Sequence, residues 1–241
     1  MCNQLKSLAL LTTLTMTCIT LLPSSSIADE TTLTYKPLVS GAPNTRVGGG
    51  SRGSRGSRGI DDSAPILNVL APNHTGYTID SQPTIYWSIS KLVDRPIKLT
   101  MAYTDFTLGT EPVIETEIKM PKKTGVQAID LKDINWKIPQ QGLIPQIEYQ
   151  WSIAIMMDEQ QSSNDIVASG TIERVPQPLA DQVAAKIAKE TDQKQQVAIY
   201  AENGIWYDAI DQLSKLIAQY PNDQKLQYQR AGLLKEVGLA N

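Results

Sequence analysis

The chain of 241 residues holds one histidine, two cysteines and 25 acidic side chains, and their placement limits the chemistry open to them. His74 lies in Pro72-Asn73-His74-Thr75-Gly76, a turn signature, and one imidazole cannot build a histidine-rich metal site. A Ser-His-Asp triad would have to recruit its serine and aspartate from elsewhere in the chain. Glu115 and Glu117 alternate with Ile114, Thr116 and Ile118, the pattern of a solvated strand face rather than of paired catalytic carboxylates. Asp158, Glu159 and Asp165 share a polar stretch but lack the spacing of a calcium loop. Gly48 to Gly59 is rich in glycine, yet it runs into a proline-flanked strand rather than a helix and lacks the lysine of a phosphate-binding loop. No catalytic residue, metal ligand or cofactor site is therefore expected.

Both cysteines, Cys2 and Cys18, fall within residues 1–28. That stretch reads as an export signal: Lys6, an uncharged apolar run from Leu8 to Leu22, Pro23, then Ser26-Ile27-Ala28 with small residues at the −3 and −1 positions. The rival is an uncleaved anchor, but the apolar run falls short of the roughly 20 residues that span a bilayer. Cleavage would leave a chain with no cysteine and no transmembrane helix, in a periplasmic or extracellular location, so disulfides, thiolate metal sites and a cysteine nucleophile drop out together. Loss of Lys6 takes 22 basic residues to 21 against 25 acidic ones, a balance that argues against a protein built to bind nucleic acid.

Residues 29–63 form a Gly/Arg/Ser-rich lead-in that reads as a flexible tether. It carries Ser-Arg-Gly three times, and Arg52, Arg55 and Arg58 have no acid between them, so they are expected to contact an anionic surface if they contact anything. Residues 64–176 then alternate apolar and polar side chains between Pro, Gly, Asn and Asp. Seven strands are expected, within Ile66–Leu70, Thr84–Ile89, Ile97–Tyr103, Val113–Met120, Val126–Leu131, Ile147–Ile155 and Ile166–Val175. Seven short alternating strands suggest two antiparallel sheets packed as a sandwich, with a small barrel as the rival. Trp87 resembles the core tryptophan of immunoglobulin-like domains, and Tyr149-Gln150-Trp151 resembles their tyrosine corner.

After Val175-Pro176-Gln177-Pro178 the apolar period becomes that of helices, expected near residues 179–187, 192–202, 205–219 and 224–237. Tyr200, Gly204, Trp206, Ala209, Ile210, Leu213, Leu216 and Pro221 follow the tetratricopeptide spacing, and residues 177–241 are expected to form a tetratricopeptide-like helical hairpin. Only about one and a half repeats are present, so the hairpin must lean on the sheets, a second copy or a partner. Trp206 fits a buried position; Tyr207 falls one residue off that stripe, which makes Tyr207 and Asp208 candidate partner contacts, with packing against the sheets as the alternative.

The order Gly48 to Gly53, Pro83-Thr84-Ile85-Tyr86-Trp87, Tyr149-Gln150-Trp151, Ile172-Glu173-Arg174-Val175 and Glu202-Asn203-Gly204-Ile205-Trp206-Tyr207-Asp208-Ala209 resembles a mostly cyanobacterial family of unknown function, DUF928. The resemblance runs from about Arg46 to the end and implies an extracytoplasmic location. It also implies a disulfide in relatives that is lost here, where Ile60-Asp61-Asp62 and Met156-Met157-Asp158 stand. It carries no catalytic residues. The expectation is an α+β multidomain protein, an immunoglobulin-like sandwich followed by the helical hairpin. Its expected role is an exported, non-enzymatic interaction module of the cell envelope with an envelope protein as partner. The rivals are a carbohydrate-binding sandwich using Tyr77 or Tyr86, and a hydrolase whose carboxylates meet only in three dimensions.

Overall fold

The strands follow directly from the alternation. In β4 (Ile97–Tyr103), Ile97, Leu99 and Met101 are buried while Lys98 and Thr100 turn the other way, so one face of the pleat is driven out of water. The computed structural model describes residues 33–39, 46, 64–158 and 162–239; residues 1–28, with the expected export signal, and Arg52, Arg55 and Arg58 lie outside them. The architecture is α+β, with two sheets followed by four helices. A three-stranded sheet has the order β1-β3-β6, from β1 (Leu67–Val69), β3 (Thr84–Ile89) and β6 (Gly125–Asp130). A five-stranded sheet has the order β2-β8-β7-β4-β5, from β2 (Gly76–Thr78), β8 (Ile166–Arg174), β7 (Glu148–Ile155), β4 and β5 (Ile114–Ile118).

All seven expected strands form. The eighth, β2, pairs in parallel with β8, so the five-stranded sheet is mixed rather than antiparallel throughout. Its sequence, Gly-Tyr-Thr, follows the turn residues Pro72 to Thr75 and carries no apolar alternation, so no local pattern announces it. Across the larger sheet Met101 faces Trp151, and Trp151 faces Gly170, so the bulkiest ring of the row lies beside a residue with no side chain.

The helices are α1 (Gln177–Ile187), α2 (Gln193–Glu202), α3 (Trp206–Gln219) and α4 (Gln224–Glu236). Pro176 and Pro178 open α1, where a missing N–H costs nothing. Asp192 caps α2 through Lys194 N at 2.8 Å, and Asp223 caps α4 through Lys225 N at 3.0 Å. Gly204 ends the turn before α3 with φ +73, and a Cβ there would meet Lys36 O at 2.9 Å, so the position excludes side chains twice over. The hydrophobic core is continuous from the sheet residues Trp87, Leu99 and Trp151 to Trp206, Ile210 and Leu213 of α3. The boundary expected near residue 176 is therefore a change of element type, with the core running across it.

Part of the expected lead-in is structure rather than tether. Leu33 and Tyr35 are buried, Lys36 N donates to Ala201 O at 3.0 Å, and Tyr35 N donates to Glu236 Oε2 at 2.7 Å. The reason is composition: Leu33 and Tyr35 supply apolar surface to bury, which Ser51 to Gly59 lacks. Arg46 is half-buried and donates to Ala71 O, Val237 O and Gly238 O at 3.1, 3.0 and 2.8 Å, capping the carbonyl end of α4. Arg46→Ala is expected to lower stability by about 1–3 kcal/mol through loss of these charge-assisted bonds, and to speed amide exchange over residues 233–239. Thermal unfolding and hydrogen exchange check this.

Candidate functional site

Tyr207, a candidate partner contact with packing against the sheets as its alternative, is 1% exposed, as in the alternative. Its hydroxyl accepts from Trp151 Nε1 at 2.8 Å and donates to Thr171 O at 2.8 Å, bridging β7 and β8 from the first turn of α3. Burial drives its phenol pKa well up from the ordinary value. A Cβ on Gly76 would lie 2.6 Å from the Tyr207 ring, so β2 must carry glycine where the ring enters. Beside it, Trp206 is fully buried, donates from Nε1 to Leu70 O at 2.9 Å, and meets the Tyr35 ring edge-on at 5.0 Å. The pair lies adjacent in sequence yet both rings are inside, because α3 enters its first turn between chain segments on two sides.

Asp208 is half-buried at the same helix end and accepts from Ile79 N at 3.3 Å and from the Thr78 hydroxyl. Burial raises its carboxyl to about 7, with Asp80 adding to the rise, while its hydrogen bonds oppose it. One turn on, Asp211 accepts from Tyr86 Oη at 3.0 Å and pairs with Lys215 at 2.6 Å. Tyr86 is therefore taken up by α3 and is not available to stack on a sugar ring. Two carboxylates thus tie α3 to β3 and to the end of β2.

The raised Asp208 value has a definite sign. Between about 3.8 and 7 the folded chain holds a proton that the unfolded chain releases, so this group's contribution is full below 3.8 and lost as pH rises through 7. Asp208→Asn is expected to raise stability at pH 8 by on the order of 1–3 kcal/mol, leave it little changed at pH 4, and flatten the dependence between. Asp208→Ala strands the Ile79 amide and should destabilise at both. Denaturant midpoints across pH decide it.

A second acidic pair lies elsewhere on the larger sheet. Glu148 and Glu173 face each other across β7 and β8, Tyr77 faces Glu173 from β2, and the Thr75 hydroxyl donates to Glu148. Burial, then Glu148, raises the Glu173 carboxyl above its usual range. The expected pair Glu115–Glu117 is different: Glu115 is held down at about 2 by hydrogen bonds to Lys98 and Lys137, at 2.6 and 2.9 Å, an exposed ion-pair cluster. Among the described residues no group of three His, Cys, Asp or Glu side chains can hold a metal ion. Nor is any described helix long and apolar enough to cross a membrane.

The opening that reaches the core lies between the sheets. β5 is the last strand of one sheet and β6 the last of the other, and a groove of about 480 Å³ runs between them. Thr116, Glu117 and Ile118 line one side, Gln127 to Asp130 the other, and Asp133 to Asn135 one end. Trp87, 1% exposed, also lines it, and among the described residues the buried indole N–H has no hydrogen-bond partner. Such an orphan donor normally costs about 1–3 kcal/mol, so it stands out against Trp136, Trp151 and Trp206, each of which donates. The sequence marks Trp87 as a core residue and gives no sign of the groove, because which strands end a sheet is set by the strand order.

A family model described as Domain of Unknown Function (DUF928) matches residues 47–241. The chain belongs to the DUF928 family. No curated protein and no solved structure matches it. The DUF928 match takes in both sheets, all four helices, the docking turn of α3 and the groove, while residues 33–39 pack on the DUF928 domain from outside the matched span. Gly204-Ile205-Trp206-Tyr207-Asp208-Ala209, the most specific stretch of the resemblance, is the segment that locks α3 to the sheets. In this DUF928 chain that stretch builds the fold, and the open surface lies at the sheet edges.

Proposed function

We propose that this DUF928 protein is an exported, non-enzymatic interaction module of the cell envelope that binds an envelope protein through the β5–β6 groove. One observation carries the reading: a groove between two free strand edges, lined by the core residue Trp87, whose buried N–H has no partner among the described residues. The apolar N-terminal stretch with Ser26-Ile27-Ala28 supports export, and Arg52, Arg55 and Arg58 supply an additional anionic-surface contact. The fold belongs to this reading as an immunoglobulin-like sandwich with a tetratricopeptide-like cap. The Tyr149 hydroxyl accepting from Ile144 N at 3.3 Å supports the sandwich, and buried Ala209 beside Gly204 supports the cap.

The test is site-specific photo-crosslinking in intact cells. A crosslinker at Gln127 is expected to give a discrete protein adduct, and the same group at exposed Tyr228 is not. Equal adduct patterns at the two sites, or recovery of the chain only in the cytosolic fraction, would overturn the reading.

A further inference from the structure

We propose that the groove takes one extended strand of the partner, paired to the free edge of β5 and carrying a lysine or arginine side chain. This rests on the interaction reading above and names that partner's chemistry. Three observations lead to it. First, β5 pairs only with β4, so its outer edge presents backbone donors and acceptors to the groove. Each strand gives a carbonyl to its own chain: Gln127 Nε2 donates to Gly125 O at 3.1 Å in β6, and Thr116 Oγ1 donates to Glu117 O at 3.3 Å in β5. Edge pairing to β5 would extend the larger sheet by one strand, the commonest way an exposed edge binds peptide.

Second, the lining is acidic. Glu117, Asp130 and Asp133 meet one base, Lys119, and among the described residues neither Glu117 nor Asp133 has an ion-pair partner. A cationic side chain entering there meets net negative potential, and a carboxylate is repelled. Third, Trp87 lines the groove, so a strand seated there changes the surroundings of its ring, whose buried N–H has no partner among the described residues.

The experiment titrates capped octapeptides into the purified protein and follows the Trp87 indole N–H signal by nitrogen-15 NMR, assigned with Trp87→Phe. Alternating Lys-Val peptide is expected to shift that signal. Alternating Glu-Val peptide should bind at least about fivefold more weakly, as should the Lys-Val peptide against Glu117→Gln/Asp133→Asn; both positions are exposed, so the variant keeps its fold. N-methylation of alternate residues of the Lys-Val peptide should weaken binding by roughly tenfold or more, because it removes edge-pairing donors. Equal binding of acidic and basic peptides, or a Trp87 signal unmoved by either, overturns the strand proposal. If the Gln127 adduct nevertheless forms in cells, the broader interaction reading survives that failure. A response to N-acetylglucosamine oligomers in place of peptide would overturn both.

Discussion

Trp206→Ala is expected to lower the unfolding free energy by about 3–5 kcal/mol, a large part of what holds a domain of ordinary stability. The loss has separable parts. Removing the indole empties a fully buried site in the core that α3 shares with the sheets, and the rigid strands around it cannot collapse into the space. It also strips the donor from Leu70 O and the edge-on partner from Tyr35. The N-terminal segment should loosen with it, so amide exchange over residues 33–39 is expected to rise along with the drop in melting temperature. Tyr228→Ala, at a site 73% exposed, provides the control and should leave both unchanged. A melting temperature for Trp206→Ala within about 2 °C of the parent would refute the account of α3 as the element that joins helices to sheets.

Tyr207→Phe removes one oxygen atom and is expected to cost about 2–4 kcal/mol. The ring stays and apolar burial hardly changes, so the effect isolates the hydroxyl. That hydroxyl is acceptor for Trp151 Nε1 and donor to Thr171 O at once, and no water can reach the site to replace it. A shift in the Trp151 indole signal should accompany the loss. The comparison with Trp87 is informative: there, among the described residues, the buried indole N–H has no acceptor, in a side chain that lines a groove. Near-neutral behaviour of Tyr207→Phe would mean that an orphan indole donor is cheap in this core, which would also weaken the case for a ligand at Trp87.

The helices and seven of the eight strands were legible because each follows a local rule: alternation in Ile97–Met101, four-residue spacing in Leu179, Val183 and Ile187, and aspartate caps at Asp192 and Asp223. Three-residue β2 was not, since its strand conformation depends on Tyr207 and Asp208 arriving from far along the chain. Whether Tyr207 was a contact residue or packed against the sheets stayed open in the sequence for a related reason. Helical period places a residue on a face, but α3 is covered on more than one face, and burial depends on how many neighbours surround a helix.

The sequence alone determined which segments would be strand or helix, that no catalytic constellation announces itself, and the family, because those depend on nearest neighbours and on motif identity. Only the tertiary structure decided that the motif-bearing helix turns its aromatics inward, that Leu33 and Tyr35 join the core, and that a groove lies between β5 and β6. Those outcomes depend on which edges and faces remain uncovered once every element has found its partner, a property of the assembled chain that no local window of residues contains.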